Sequence, residues 1–392
     1  MVAIAAFFMA CSNPAGPNGN RVDNIQRPAT PGGGDEGNGL PPTSGPGWLR
    51  AVGDDVLEQL EWLRDYSGIR NDGYYYVVAG DNERPIPGSH NLGSVRESIT
   101  VLIKSDDPAN RRTLQLAEGN GAMLNVGAGN TLMLQDINLQ GLGINIVQNF
   151  PLVNVSNGVM EMTNSEIKYN RARGVNVNNG KFTMGDGAVI RDNIGGSGGG
   201  VLLTNSTFTM SGNARIVGNH SQGAAGSRSG TGGGVHLSNS TLTMYDSAKI
   251  SSNSTNGGSG MYSGSGGGVA LLNNSVLNMH GNNAHISGNV AHNTSSNTAS
   301  GGGVFIDGST LNISGGRIQG SSASPDFQAN TATGSGAAVT RLSNATANIV
   351  NSNGVFLQTI DSIQWGSSSF LRYVTNYTII VSNNGNSVVL QP

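Results

Sequence analysis

The chain has 392 residues, of which 60 are glycine and 47 are asparagine, while 11% are charged and 5% are aromatic. This glycine share is about twice the roughly 7% of an average protein, which argues against a helical bundle or a doubly wound enzyme. Hydrophobic residues make up 36%, too many for a disordered chain, and the net charge of −3 gives no basic field for nucleic acid. Short apolar stretches between Gly, Asn, Ser and Thr indicate many strands joined by tight turns.

The first residues resemble a bacterial lipoprotein signal. An apolar run over residues 2–10 precedes Cys11, the only cysteine, so no internal disulfide is possible. A short apolar stretch of this kind is typical of a secretory signal, and the order Phe-Met-Ala-Cys over residues 8–11 resembles a lipobox. We predict a signal peptide over residues 1–11 and lipidation of Cys11, which would anchor the protein in an outer membrane; the alternative is a signal that is trimmed without lipidation.

A tether and one helix are predicted next. Residues 12–47 hold seven of the 13 prolines and nine glycines without an apolar period, which is typical of a flexible spacer. Over residues 49–63 apolar residues recur at spacings of three and four, which predicts an amphipathic helix. We expect residues 48–120 to form an N-terminal cap in which this helix covers the end of the fold. No apolar run long enough to cross a membrane follows Cys11.

A repeat then dominates the sequence. Residues 198–219 read Gly-Gly-Gly-Val, Asn-Ser-Thr-Phe-Thr-Met and Ala-Arg-Ile-Val-Gly-Asn in turn, and residues 232–253 follow the same pattern. The spacing between copies grows from 22 to 34 or 35 residues, and the additional residues are mostly Gly, Ser, Thr and Asn. The unit is therefore about 22 residues with a loop of variable length. Its opening valines are Val153, Val175, Val201, Val235, Val269, Val304 and Val339.

Each repeat contains three short segments in which apolar residues alternate. Alternation places these residues on one face of a strand. Three strands per turn with one apolar face each can close only as a coil around a dry interior, with successive coils pairing in parallel about 4.8 Å apart. We therefore predict an all-β fold: a right-handed parallel β-helix of about 7–8 coils over residues 121–354, with C-terminal cap strands over residues 355–392.

The repeat resembles those of bacterial surface β-helix proteins. Phe-Thr-Met, Ala-x-Ile-x-x-Asn and Gly-Gly-Gly-Val are similar to the repeats of spirochaete β-helix lipoproteins, and to the Gly-Gly-x-Ile and Phe-x-x-Asn repeats of chlamydial polymorphic outer membrane proteins. The resemblance covers residues 121 to about 350. It implies a pectin lyase-like right-handed β-helix at the cell surface with an adhesin-like role.

Two columns of asparagine recur once per coil. Asparagine tolerates left-handed backbone and makes local hydrogen bonds, so we interpret both columns as structural ladders at the corners of the coil rather than as a recognition face. The first column contains Asn157, Asn179, Asn205 and Asn239, and the second contains Asn170, Asn193, Asn219, Asn253 and Asn289.

A third column follows the second strand of each repeat. Calcium takes carboxylate and amide oxygens, but every residue type in this column also accepts a positive φ. Because a turn requirement explains all the members, we predict no metal and no other cofactor. The column reads Asp136, Asn164, Asp186, Gly212, Asp246, Gly281 and Gly315.

Four basic side chains occupy the position before the isoleucine of the third strand on four consecutive coils. This position faces outward, because the isoleucine faces inward. We interpret it as a stripe for anionic ligands such as acidic glycans of a host or matrix, with a solvated strand face that has no ligand as the alternative. The stripe consists of Arg215, Lys249, His285 and Arg317, and we expect binding to strengthen below about pH 6.5, where an ordinary histidine gains charge.

Catalysis is not expected. Parallel β-helices host polysaccharide-degrading enzymes, but a glycosidase needs a pair of carboxyls, and only four acidic residues follow residue 200. The best catalytic candidates are Asp186 and Asp192 with Lys168 and Arg191. The sequence therefore predicts a monomeric, non-catalytic surface lipoprotein with an adhesin-like or scaffold role. A secreted carbohydrate-active β-helix and a purely structural coat or spacer protein are the alternatives.

Overall fold

In the computed structural model, the chain divides into Met1–Asn38 and a compact unit, Gly39–Pro392. The structure describes residues 47–391 with gaps, so Cys11, the signal peptide over residues 1–11 and all of the tether except Gly47 lie outside the described residues. The gaps are residues 67, 70, 93–97, 147–148, 224–229, 259–262, 294–298, 324, 335, 343–344, 351–355, 360–362, 366–371, 376–377 and 383–386.

The described residues form a parallel β-helix, which confirms the predicted fold. Eight successive turns each contribute one strand to three large parallel sheets, and in the later turns a short fourth sheet follows. We number the sheets 1 to 4 in the order in which the chain passes through them within one turn.

The strands of the described part of the chain fall into these four sheets. Sheet 1 contains His90–Asn91, Leu124–Val126, Val153–Ser156, Val175–Asn178, Val201–Thr204, Val235–Ser238, Val269–Leu272, Val304–Ile306, Val339–Leu342, Arg372–Thr375 and Ile363–Trp365. Sheet 2 contains Leu49–Arg50, Gly73–Ala79, Ile99–Ser105, Thr131–Gln135, Val159–Thr163, Lys181–Met184, Thr207–Met210, Thr241–Met244, Val276–Met279, Thr310–Ile313, Thr346–Val350 and Phe356–Thr359. Sheet 3 contains Thr113–Gln115, Asn138–Gln140, Glu166–Lys168, Val189–Arg191, Arg215–Val217, Lys249–Ser251, His285–Ser287, Gly316–Ile318, Thr378–Ser382 and Ser387–Gln391. Sheet 4 contains Ile194–Gly195, His220–Gln222, Ser254–Asn256, Val290–Ala291 and Thr331–Ala332.

The register stacks equivalent apolar residues above one another in the interior. Ile216 pairs with Ile250 in sheet 3, and Phe182 pairs with Phe208 in sheet 2, where the two rings stack with centroids 4.6 Å apart. These side chains are fully buried. Burying each one stabilises the fold by about 1.5–3 kcal/mol, so the repeated apolar positions supply most of the driving force for coiling.

The helix of the described chain is Val56–Asp65. Asp55 caps its N-terminus, because the Asp55 Oδ1 atom accepts a hydrogen bond of 2.9 Å from the Glu58 backbone N–H. Leu60 and Leu63 are buried in the core of the β-helix. The proposed capping role of this helix stays a prediction.

The helix is shorter than the 49–63 pattern predicts. Leu49–Arg50 instead forms a strand that pairs in parallel with Tyr75 and Tyr76, so sheet pairing overrides the helical period at this point. Leu49 and Val52, the first two residues of the apolar pattern, are consequently 50% and 47% exposed.

The two ends of the β-helix differ. Parallel pairing already includes Gly73–Ala79, which lies within the predicted cap over residues 48–120. At the C-terminal end pairing becomes antiparallel, for example where Thr378–Ser382 pairs with Gly316–Ile318. Within the described residues, no helix has the length and apolar character needed to cross a bilayer.

Candidate functional site

The four basic residues predicted as a stripe lie side by side on the outer face of sheet 3. Arg215 pairs with Lys249, Lys249 with His285, and His285 with Arg317 in the parallel register. The isoleucine that follows each of them is fully buried, so the basic positions face away from the core. We call these four residues the basic column.

The column is positively charged at its N-terminal end. Arg215 is exposed and Lys249 is half-buried. Neither forms an ion pair with a carboxylate among the residues that the structure describes. On the preceding coil the same position is Val189, and on the coil before that it is Glu166. The run of cations therefore starts at Arg215.

A loop folds back over the other end of the column. The Gly288 backbone N–H donates a 2.9 Å hydrogen bond to the carbonyl oxygen of Gln328, which holds the loop against the preceding coil. This places Phe327 beside the column: its ring centroid is 4.8 Å from that of His285, and the Arg317 guanidinium carbon is 4.5 Å from it. The loop therefore adds an aromatic wall to a charged surface.

The loop and the column enclose a groove of about 570 Å³. That volume lies in the usual range of ligand pockets, about 300–1,000 Å³. We call it the Phe327 groove. Its walls include Lys249, Asn282, His285, Arg317, Asp326 and Phe327.

The sequence prediction missed Phe327 and Asp326, although a signal was present. In the preceding coils the column asparagine comes three positions after the inward isoleucine, as with Ile286 and Asn289. From Ile318 to Asn330 the distance is 12 residues. The additional residues enter directly after sheet 3, whereas the long loops of the three preceding coils enter after sheet 4. An insertion at this point was a reason to expect a loop beside the basic column.

His285 does not carry the charge that the sequence suggested. Removal of the imidazole from water lowers the pKa of His285 to about 4, and the charges of Lys249 and Arg317 act in the same direction. The hydrogen bond between His285 Nδ1 and the Asn283 carbonyl oxygen, 3.3 Å long, opposes the shift. The expectation that His285 gains charge below about pH 6.5 is therefore wrong, and the cationic members of the column are Arg215, Lys249 and Arg317.

Arg317 is half-buried beside the loop. Burial lowers the pKa of its guanidinium from the ordinary value, and the carboxylate of Asp326 acts in the opposite direction. A guanidinium over an aromatic face is also attracted by the ring quadrupole. Arg317 therefore brings a fixed positive charge into the wall of the groove.

The catalytic candidates of the sequence do not form one constellation. Lys168 and Arg191 both bind the Glu166 carboxylate, at 3.0 and 3.1 Å, and Arg191 also binds Asp192 at 2.8 Å. Burial acts to raise the pKa of Glu166, but these two cations hold it below its ordinary value. Asp186 lies apart from this network at a turn, where its Oδ1 atom accepts a 3.0 Å hydrogen bond from the Asn213 N–H.

The Asp/Asn/Gly column lies at turns, with three departures from the predicted backbone, since Asp186, Gly281 and Gly315 do not have a positive φ. Positive φ angles occur at Asp136, Asn164, Gly212 and Asp246. At Asp186 the next residue, Gly187, adopts that conformation instead, and Gly316 does so in place of Gly315. Carboxylate oxygens of the column accept hydrogen bonds from the next or previous coil, such as the 2.9 Å bond from Gly212 N–H to Asp246 Oδ2. Among the described residues no three His, Cys, Asp or Glu side chains converge on a metal position.

The second asparagine column is a continuous buried ladder. From Asn219 to Asn330, each side-chain oxygen of the column accepts two hydrogen bonds from the asparagine of the previous coil; those on Asn253 are 3.0 and 3.1 Å long and come from the backbone and side-chain nitrogens of Asn219. From Asn193 onward, each side-chain nitrogen also donates to an isoleucine carbonyl of the previous coil. The ladder comprises Asn170, Asn193, Asn219, Asn253, Asn289 and, in addition to the predicted set, Asn330.

The first asparagine column is different. Asn157, Asn179, Asn205 and Asn239 are exposed and have φ angles of 50–58°. Within the described residues, one side-chain bond connects two of them, from Asn239 Nδ2 to Asn205 Oδ1 at 2.7 Å. Backbone conformation rather than amide bonding is therefore what these positions share.

A buried serine ladder, which the sequence prediction missed, begins one residue after the exposed asparagines Asn205 and Asn239 and continues over the next two coils. Each serine hydroxyl accepts a hydrogen bond from a backbone N–H of the previous coil, and the serines are at most 5% exposed. The signal was the repeated Asn-Ser pair. Its members are Ser206, Ser240, Ser275 and Ser309.

Comparisons with known proteins add no functional assignment. Searches against family models, curated proteins and solved structures found no significant match to this chain. The resemblance to β-helix surface lipoproteins therefore stays a prediction from the repeat pattern, and the candidate site is defined by the basic column and the Phe327 groove.

Proposed function

We propose that this chain is a non-catalytic surface lipoprotein whose sheet 3 face binds an acidic polymer of a host or matrix, such as an acidic glycan. The single observation that carries the proposal is the register of the basic column, which sets its members on four adjacent strands. At about 4.8 Å per strand the column is about 14 Å long. Cations spaced in this way can follow the regularly spaced anionic groups of an extended polymer.

The carbohydrate-active enzyme is the less well supported alternative. Within the described residues, the Phe327 groove has one carboxylate in its walls, Asp326, whereas glycoside hydrolysis generally needs two carboxyl groups on either side of the scissile bond. Asp192 is paired with Arg191, and Asp186 accepts a backbone hydrogen bond at a turn. These groups therefore favour structure over acid–base chemistry.

The test is retention of the purified body, residues 47–392, on an acidic-glycan resin. The variant Arg215→Gln/Lys249→Gln/Arg317→Gln removes all the cationic charge of the column. We expect the wild type to be retained at low salt and to elute as salt rises, because exposed charges are screened beyond about 8 Å at physiological ionic strength. The triple variant should not be retained.

A matched control separates the column from net charge. Arg50, Arg171 and Lys181 lie outside sheet 3, so Arg50→Gln/Arg171→Gln/Lys181→Gln removes the same charge elsewhere. This control should elute with the wild type. Equal retention of the column variant and the wild type would reject the proposal and favour a structural coat or spacer protein.

Retention should not depend on pH in the mildly acidic range. Because the pKa of His285 is about 4, its imidazole is neutral at pH 8 and largely neutral at pH 5.5. The salt concentration at elution should therefore be the same at both pH values. Stronger retention at pH 5.5 that is lost in His285→Gln would show that this residue protonates and would contradict its assignment as a neutral member.

The anchor is proposed from the sequence around Cys11. The apolar run and the residues 8–11 resemble a lipidated bacterial signal, which would place the β-helix on an outer membrane or the cell surface as a monomer. Radiolabelled palmitate should be incorporated into the full chain and not into the Cys11→Ala variant. Absence of label from both proteins would reject the anchor without affecting the proposal for sheet 3.

A further inference from the structure

The Phe327 groove combines features that a simple charged surface lacks. Lys249 brings a cation, and no carboxylate of the described chain is paired with it. Phe327 is half-buried and brings an aromatic ring, and Asn282 brings an exposed amide. A pocket with an apolar wall and a few convergent polar groups is the usual form of a site for a small ring compound.

The polar groups suit a hydroxylated anion. The His285 Nδ1 atom pairs with a carbonyl oxygen, so it carries the proton, and Nε2 of the neutral ring remains as an acceptor for a hydroxyl group. The amide of Asn282 and the hydroxyl of Ser247 can each donate and accept. Lys249 and Arg317 flank His285 on its two neighbouring strands of sheet 3.

We propose that the Phe327 groove is a discrete site for one uronic acid residue of a polymer, with its carboxylate near Lys249 and Arg317 and the apolar face of its sugar ring against Phe327. The hydroxyl groups of the sugar bind Asn282, Ser247 and His285. The inference rests on the proposed function because it uses two cations of the basic column. The proposed function needs only attraction between opposite charges. The groove would in addition select for the chemistry of a single sugar residue.

The test compares small ligands with the polymer. Calorimetric titration of the purified full chain with a trimer of galacturonic acid should show binding, whereas a neutral galactose trimer should not bind. Phe327→Leu keeps an apolar side chain but removes the ring, and Asn282→Ala removes an exposed amide. Each should weaken trimer binding by about tenfold or more, because each removes a contact made to the sugar and not to its charge. Lys181→Gln, which removes a cation outside sheet 3, should leave trimer binding unchanged.

Several outcomes would overturn the inference. It fails if the acidic trimer does not bind, if both groove variants bind it like the wild type, or if inorganic sulfate at the same concentration displaces it fully, which would mean that the groove detects charge alone.

Melting temperatures equal to that of the wild type would show that the variants are folded. If the trimer does not bind but polymer retention still depends on the basic column, the groove inference fails and the proposed function stands. If polymer retention is independent of the column, the proposed function fails.

Discussion

The two asparagine columns have the same residue and the same period, but they serve different physical needs. The column that includes Asn219 and Asn253 is fully buried and joins each coil to the next through its amides. The column that includes Asn205 and Asn239 is exposed, and its members share a left-handed backbone. A recurring residue type therefore does not reveal by itself whether its side chain or its backbone is required.

The difference between the two columns follows from whether solvent reaches each position. In the interior, the backbone groups at a bend cannot bond to solvent, so an amide that both donates and accepts must satisfy them. At the exposed corner, water can satisfy the same groups, and what remains is the positive φ, which asparagine tolerates better than most residues.

The largest expected effect is at the buried column. Asn253→Ala removes the acceptor of the Asn219 backbone N–H and the donor to the Ile216 carbonyl, and both partners are left without water. An unsatisfied buried group costs about 1–3 kcal/mol, so we expect a loss of about 4 kcal/mol in the free energy of unfolding. Urea denaturation at pH 7 measures it. A loss below about 1 kcal/mol would mean that the buried and the exposed asparagines contribute about equally to the free energy of unfolding.

An effect of intermediate size is expected on the free energy of unfolding when the pH is lowered. Amides do not titrate, so neither asparagine column should make the fold sensitive to pH, whereas His236 should. Removal from water lowers the pKa of His236 to about 4, and the charge of Arg173 acts in the same direction. The unfolded chain, with a histidine pKa near 6.5, binds a proton below pH 6.5 that the folded chain does not bind, so stability falls as the pH is lowered toward 4.

The measurement is the free energy of unfolding at pH 7 and pH 5. We expect His236 to account for a loss on the order of 1–2 kcal/mol between these values. The loss should be smaller by that amount in His236→Asn, while Asn239→Gly should show the same loss as the wild type. An unchanged pH dependence in His236→Asn would show that this imidazole is not the acid-sensitive group.

The smallest effect is at the exposed column. Asn239→Gly should change the free energy of unfolding by less than about 0.5 kcal/mol, because glycine adopts a positive φ readily. Asn239→Ala should cost about 1 kcal/mol, because a Cβ without a compensating polar group is strained at the φ of 50° that Asn239 adopts. If glycine is as damaging as alanine, the side chain matters more at this corner than the backbone.

The repeat predicts the strands and the buried face of each coil. It does not predict how loops and terminal segments pack against other coils. The apolar alternation around Phe208 and Ile216 assigned the inward faces correctly, because register in a parallel coil stacks equivalent residues. The position of Phe327 depends on a loop that returns to an earlier coil, and no local pattern encodes that return. The start of the helix was misplaced for a related reason, since Leu49–Arg50 has a strand partner that lies more than 20 residues away in sequence.

The direction of strand pairing at the C-terminal end could not be predicted from the sequence either. Thr378–Ser382 shows a strand-like pattern, yet it pairs antiparallel with Gly316–Ile318. Alternation indicates a strand and its buried face, but it contains no information about the direction of the neighbour.

The buried asparagine ladder also has a consequence for the evolution of the molecule. Each amide needs only the coil before it and the coil after it, and the backbone on either side of a repeat is nearly the same. Excision of residues 232–265 would bring Asn219 next to Asn289 with donors and acceptors still matched. Deletion or duplication of a whole repeat can thus shorten or lengthen the rod while its cross-section stays constant, so length is the property that recombination can change most easily.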